Sequence, residues 1–223
     1  MNFAFVPVRI GSKGIPKKNI NEVFGKPLLY WVISALEDCP KINKIFVASD
    51  SDEIDSVVNG LGFSKVFVYR RDPKNAKDHS TTESVMLEFL GKKKFSPKDR
   101  MLLAQVTSPL TKSADYANAI KKFEKEGCDS LLSCVKVKSF FWADNKPINY
   151  DFNNRPRRQD FDGFFQENGA IYINTVENIL KFKNRLSGKV SIYEMEAYQS
   201  YEIDEPEDLL IIEKIFEKVH KNL

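Results

Sequence analysis

The sequence predicts an α/β fold built on a mostly parallel sheet, and two observations carry that expectation. Apolar runs at Phe3–Val8, Lys44–Ser49 and Lys65–Arg70 alternate with helical patterns inside the first 70 residues. Strand–helix–strand units of this length build parallel sheets with right-handed crossovers. The first run then ends at Pro7 and opens into Val8-Arg9-Ile10-Gly11-Ser12-Lys13-Gly14-Ile15-Pro16-Lys17-Lys18-Asn19, a loop with two glycines and four cations. A buried strand feeding such a loop presents backbone N–H groups and positive side chains to phosphate. Glycine permits close backbone approach, and the cations supply charge-assisted hydrogen bonds. The loop matches neither GxxxxGKS/T nor GxGxxG. On composition alone it reads equally as a nucleotide triphosphate site or as a solvated basic turn.

The elements follow in order. Lys26 to Asp38 has a broad apolar face, with Pro27 in the first helical turn. Lys44–Ser49 is a buried strand. Asp50 to Leu61 places Ile54, Val57, Val58 and Leu61 at helical spacing, and Lys65–Arg70 is the next strand. Ser80-Thr81-Thr82-Glu83 reads as a capping box for a helix to Leu90. Met101–Val106 is a fourth strand that ends in Thr107-Ser108-Pro109-Leu110. A helix follows from Ser113, with Tyr116, Ile120 and Phe123 on one face, and Asp129–Val137 is a fifth strand. Residues 138–166 then show no period of 2 or 3.6, many aromatics, and the basic cluster Arg155, Arg157 and Arg158. An irregular segment of that length inside a compact domain points to function. Asn168–Asn174 resumes as a strand, followed by a short helix, a strand near Val190–Met195, and a last helix from Glu205 with Leu209, Ile212, Phe216 and Val219 inward.

Composition narrows the classes. The 223 residues are 42% hydrophobic and 29% charged, which describes one globular domain with a sizeable core. A net charge of +3 is too balanced for a nucleic-acid binder. The N-terminus is apolar over too few residues for a secretory signal, and no stretch approaches the roughly 20 apolar residues of a membrane span. Cys39, Cys128 and Cys134 show neither CxxC spacing nor an even count. Reduced, mostly buried thiols and a cytoplasmic location are expected. His79 and His220 are too few and too far apart for a histidine metal site.

The ordered motifs resemble the acylneuraminate cytidylyltransferase family, the CMP–sialic acid synthetases and related CMP-nonulosonic acid synthetases. The loop from Pro7 to Asn19 resembles that family's PARxGSKGIxxKN signature, with Val8 in place of the usual alanine. Further matches are Gly25-Lys26-Pro27-Leu28, Gln105-Val106-Thr107-Ser108-Pro109-Leu110, Asn168-Gly169-Ala170-Ile171-Tyr172-Ile173 and Ile203-Asp204-Glu205-Pro206-Glu207-Asp208. They run in family order from residue 3 to residue 212. The resemblance implies a Rossmann-like nucleotidyltransferase fold, with helices on both faces of the sheet. It also implies an activity: the anomeric hydroxyl of a nine-carbon 2-keto sugar acid attacks the α-phosphate of CTP and pyrophosphate leaves. Such transfer is mostly positioning and charge stabilisation.

The same resemblance assigns roles to residues. Arg9, Ser12, Lys13 and Lys18 match positions that grip the triphosphate, with Arg9 and Lys18 neutralising charge on the transferring phosphate and Lys18 in an exposed loop. Asn19 matches a nucleotide-contacting position, whereas Lys17 falls at a variable, solvent-exposed one. Arg71 matches an arginine beside the cytosine ring or phosphates; otherwise it is a surface arginine ending a strand. Thr81 or Thr82 lines the same pocket or only starts a helix. Gln105 matches a sugar-facing glutamine at the carboxyl edge of a parallel strand, with Thr107 and Ser108 as further substrate contacts or as turn caps ahead of Pro109. Arg158 matches an arginine on the sugar carboxylate, a task suited to its planar fork; Arg157, Lys136 and Lys138 offer the same charge.

The resemblance further implies that the 138–166 arm crosses into a partner subunit of a homodimer, with Phe140, Phe141, Trp142, Phe161, Phe164 and Phe165 as its apolar side. A lid folded on its own subunit is the alternative. Mg2+ is the implied cofactor. The family places two aspartates at DxD spacing as its ligands, whereas this chain reads Glu202-Ile203-Asp204. Glutamate keeps the charge but lies about one methylene further out, and magnesium is strict about its octahedron. Asp204 also reads as a helix N-cap, with Glu207 at N3. Among the alternatives, CMP-octulosonate synthetases share the fold but lack the SKGIxxKN loop, legionaminate and pseudaminate enzymes share the motif set, and a catalytically silent nucleotide-binding protein has only the Glu202 departure in its favour.

Overall fold

The computed structural model describes residues 1–12, 14–77 and 80–220; Lys13, His79 and the side chain of His220 lie outside them. Seven strands share one sheet: β1 (Asn2–Pro7), β2 (Lys44–Ser49), β3 (Val66–Arg70), β4 (Arg100–Ala104), β5 (Ser130–Val137), β6 (Phe164–Thr175) and β7 (Val190–Met195). Their order across the sheet is β7-β5-β6-β4-β1-β2-β3. β1 runs parallel to β2 and β4, β2 to β3, and β5 to β7. Only β6 is reversed, antiparallel to β4 on one side and β5 on the other. The reversal has a local cause. No α-helix lies between β5 and β6, only a short 3-10 turn at Phe152–Asn154, so the chain returns without a crossover and pairs antiparallel.

The helices are α1 (Leu28–Glu37), α2 (Asp52–Gly60), α3 (Thr82–Lys92), α4 (Ser113–Glu126), α5 (Val176–Phe182) and α6 (Pro206–His220). Strand residues divide between two cores with the period of 2 that a pleated strand imposes. Ala4, Val6, Ile45, Val47, Leu102 and Ala104 meet α1, α2, α4 and α6 on one face. Phe3, Phe5, Phe46, Ala48, Met101 and Leu103 meet α3 and α5 on the other. Strands covered on both faces read as continuous apolar runs, the pattern that marked them in the sequence. The sheet is therefore mostly parallel with helices on both sides, as expected.

Local chemistry corrects several boundaries. Lys26-Pro27 is not helical: it pairs with Glu22-Val23 in a small hairpin, and Pro27 precedes the first turn of α1. The cap of α3 is Thr81, one residue later than the predicted box. Its hydroxyl accepts the Ser84 N–H, and Glu83 turns to Arg185 instead. At α6 the cap is shifted as well. Asp208 accepts the N–H groups of Asp204 and Glu205, so Glu205 occupies the capping position and the Asp204 carboxylate takes no part in capping.

The irregular arm is shorter than expected, residues 138–163, because Phe164 already pairs with Val137 in the β5–β6 ladder. It carries a two-residue hairpin, Trp142–Ala143 with Lys146–Pro147. Its aromatics divide in two. Phe140 packs on Tyr150 and Phe161, with Arg155 lying 4.2 Å over the Phe140 ring, while Phe141, Trp142, Phe164 and Phe165 stay exposed. All three cysteines are buried and unpaired. Among the described residues, no helix is long and apolar enough to cross a membrane.

Candidate active site

The strand order reverses between β1 and β4, since β1 leads to β2 on one side and β4 lies on the other. In open α/β sheets the crevice outside the carboxyl ends of such strands is where ligands bind. A cavity of about 290 Å³ lies there. It is walled by the loop after β1 (Pro7, Arg9, Ser12, Lys18, Asn19), by the loop after β4 (Gln105, Val106, Thr107), by Arg71 after β3, and by Ser80, Thr81, Thr82 and Val85 at the start of α3.

Backbone bonds shape the loop after β1. Val8 continues the ladder by donating to the Ala48 carbonyl at 2.9 Å, and the Ile10 N–H is held by the Asp50 carboxylate, also at 2.9 Å. Asn19 is buried, and its amide donates to the Arg9 carbonyl at 2.8 Å, closing the loop on itself. Lys17 takes the left-handed conformation at φ 53° and points outward to Glu53. Gly14 has a steric reason to be glycine, since a Cβ there would stand 2.3 Å from the Asp204 carbonyl oxygen.

Lys18 departs from expectation. Its side chain is only 11% exposed, and its ammonium donates to the Ile203 carbonyl at 2.7 Å and to Asp204 at 2.8 Å. The loop near the start of the chain is thus fastened to the segment ahead of α6. Arg71 is neither exposed nor idle. It is buried at the cavity edge, and its guanidinium donates to the carbonyls of Val8, Ala48 and Asn75. Burial lowers its pKa, Asp50 opposes that, and Arg9 adds to it. This places the arginine at the cavity wall as a brace of the β1 and β2 ends.

Gln105 lines the cavity and donates to the Gly169 carbonyl at 2.8 Å. Gly169 has φ +65° in the bulged part of β6, and a Cβ there would lie 1.9 Å from a Glu202 carboxylate oxygen. The longer acid at position 202 is thus housed against a residue with no side chain. Burial first, and then the neighbouring Asp204, raise the Glu202 pKa to about 7. Ser108 is buried away from the cavity wall, its hydroxyl 3.4 Å from the Asn168 carbonyl and from Glu202, so it ties to β6 and to the segment ahead of α6 instead of capping the turn at Pro109.

Of the residues nominated from sequence, Arg9, Ser12, Lys18, Asn19, Arg71, Gln105 and Thr107 therefore share one cavity, with Asp204 attached through Lys18. Arg158 does not join them. It is exposed on the arm, as is Arg157, and Lys138 is occupied by the Gln159 carbonyl within the arm. Among the described residues, no group of three or more His, Cys, Asp or Glu side chains is arranged to hold a metal. Four wall residues, Pro7, Ser80, Val85 and Val106, were not among the expected site residues. Of these, only Ser80 carried a signal, through its place beside the predicted α3 cap.

The fold is Rossmann-like, a mostly parallel sheet with helices on both faces and a cavity at its switch point. The chain belongs to the Cytidylyltransferase family, which matches it over residues 3–222. An N-acylneuraminate cytidylyltransferase from Oncorhynchus mykiss is 36% identical over 210 residues, 90% of this chain and 47% of that protein. A pseudaminic acid cytidylyltransferase from Campylobacter jejuni is 24% identical over 232 residues, 99% of this chain and 98% of that one. The chain spans about half the length of the fish and streptococcal relatives it matches. Among solved structures, a CMP-2-keto-3-deoxy-manno-octonic acid synthetase complexed with CTP superimposes with a TM-score of 0.72 at 16% identity, covering 100% of this chain and 99% of that one. That likeness is one of fold.

Proposed function

We propose that this protein transfers CMP from CTP to the anomeric hydroxyl of a nonulosonic acid and releases pyrophosphate. The observation that carries this reading is the convergence of Arg9, Ser12, Lys18 and Asn19, all from the signature loop, on one cavity at the switch point of the sheet. The sugar oxygen attacks the α-phosphorus while the bond to the bridging oxygen of the pyrophosphate breaks. Arg9 and Lys18 offset the charge that this develops. Gln105 and Thr107 face the acceptor, and Arg158 meets its carboxylate from the arm of a second copy.

Mg2+ fits the donor set. Magnesium usually takes one or two carboxylates and completes its shell with water and substrate phosphates. Glu202 and Asp204 flank Ile203 and offer two carboxylates; burial first, and then the Asp204 charge, raise the Glu202 pKa, and a bound dication would offset both. Bound there, the ion would polarise the phosphates and screen their charge.

The test is incubation with magnesium, CTP and a panel of N-acetylneuraminate, legionaminate and pseudaminate, reading pyrophosphate. Release that needs both CTP and one of these acids is expected. No release with any acceptor overturns the enzyme reading, and release with GTP in place of CTP overturns the base assignment.

A further inference from the structure

Glu88, in the middle of α3, has a side chain only 4% exposed, yet it accepts hydrogen bonds from four donors. These are the Tyr69 hydroxyl at 2.6 Å, the Asp72 N–H at 2.8 Å, the Asn75 amide at 2.6 Å and the Lys92 ammonium at 3.0 Å. Three of the four come from the end of β3 and the turn after it, the stretch that carries Arg71. The Asn75 carbonyl, in turn, faces the Arg71 guanidinium, whose other bonds hold the carbonyls of Val8 and Ala48 at the root of the phosphate loop. The start of the same helix forms a cavity wall through Thr81, Thr82 and Val85.

We propose that Glu88 is a positioning residue for the nucleotide half of the site: one buried carboxylate sets the distance between the α3 wall and the Arg71 turn, and so the width of the slot that takes the nucleoside triphosphate. This rests on the nucleotide reading of the cavity. The chemistry favours a carboxylate. Every neighbour is a donor, and a buried group accepting from all of them at once must have two acceptor oxygens. A carboxamide turns its NH2 toward the Asn75 amide, which must then rotate to accept and give up its contact with the Ser84 carbonyl.

The experiment uses two variants. Glu88→Gln sets its new amide against the Asn75 amide, whereas Glu88→Gln combined with Asn75→Asp restores that bond with donor and acceptor exchanged. The single variant is expected to raise the KM for CTP, and the Kd for CTP by calorimetry, roughly tenfold, with little change in the KM for the sugar acid. The double variant should recover most of that loss. Wild type that binds CTP alongside a single variant that binds it equally well overturns the positioning role alone. So does a loss shared equally between CTP and the sugar acid, or a lowered Tm with unchanged CTP binding, since either describes mere structural damage. Should the single variant fold poorly, the double variant decides: CTP binding near wild type supports the role, and binding no better than that of Asn75→Asp alone overturns it. A wild-type chain that binds no CTP overturns the nucleotide reading and this role with it.

Discussion

Lys18 holds Asp204 and the Ile203 carbonyl while lining the cavity, which leaves the third N–H of its ammonium for an anion there, a phosphate on the proposed reading. The ion pair itself contributes little stability, because Asp204 is 63% exposed and water screens it. Lys18→Ala is therefore expected to lower kcat on the order of 10²-fold or more while moving Tm by only a few degrees, which paired kinetics and calorimetry would show. An unchanged kcat would place the lysine outside the chemistry. Gly169→Ala should behave oppositely. The new methyl strains a φ of +65° and strikes Glu202, so both Tm and turnover should drop; a well-folded, active variant would mean that β6 relaxes around it. The sequence made the loop residues legible because they are local in the chain. Glu88 and the inward turn of Lys18 were not legible, since each is defined by partners brought near only by the sheet.

At the scale of elements, strands covered on both faces announced themselves as apolar runs, and α2 and α4 by their helical spacing. The reversed β6 was less visible, because direction is set by what connects two strands rather than by their residues. Cap positions slid by one at α3 and α6 for a related reason. Neighbouring Ser, Thr, Asp and Glu residues can each cap, and long-range partners such as Arg185 choose among them. The tie from α3 to the turn after β3 also has an acid signature. Burial opposes the Glu88 charge, but the hydrogen bonds from Tyr69, Asn75, Asp72 and Lys92 outweigh it and bring the pKa from an ordinary 4.5 down to about 2. A depressed carboxylate stabilises the fold fully above its unfolded pKa, and that contribution disappears as pH falls toward the folded value. Tm should thus decline between about pH 4.5 and pH 2, and Glu88→Gln should decline less steeply there. Parallel curves would show that Glu88 is not the group responsible.

For the whole molecule, the arm leaves and re-enters the sheet at the paired residues Val137 and Phe164, so it projects from a single narrow stem. Its exposed Trp142, Ile148 and Phe152 are 55%, 62% and 62% accessible, an apolar surface of the sort a second copy covers. If Arg158 acts across a dimer, Arg158→Ala should chiefly raise the KM for the sugar acid. A mixture of Arg158→Ala and Lys18→Ala chains should then regain about a quarter of wild-type activity at limiting sugar acid, because each mixed dimer rebuilds one complete site. No recovery on mixing would place the arm on its own subunit. The clasp between residue 18 and residues 203–204 also has a consequence in time. A chain emerging from the ribosome holds its phosphate loop long before it holds the segment that fastens it. The sheet can assemble while the loop after β1 is still unfastened, so on the proposed reading affinity for CTP should arrive only once residues 203–204 have emerged. Nascent chains stalled before Ile203 that already retained CTP at full strength would show that the loop sets itself.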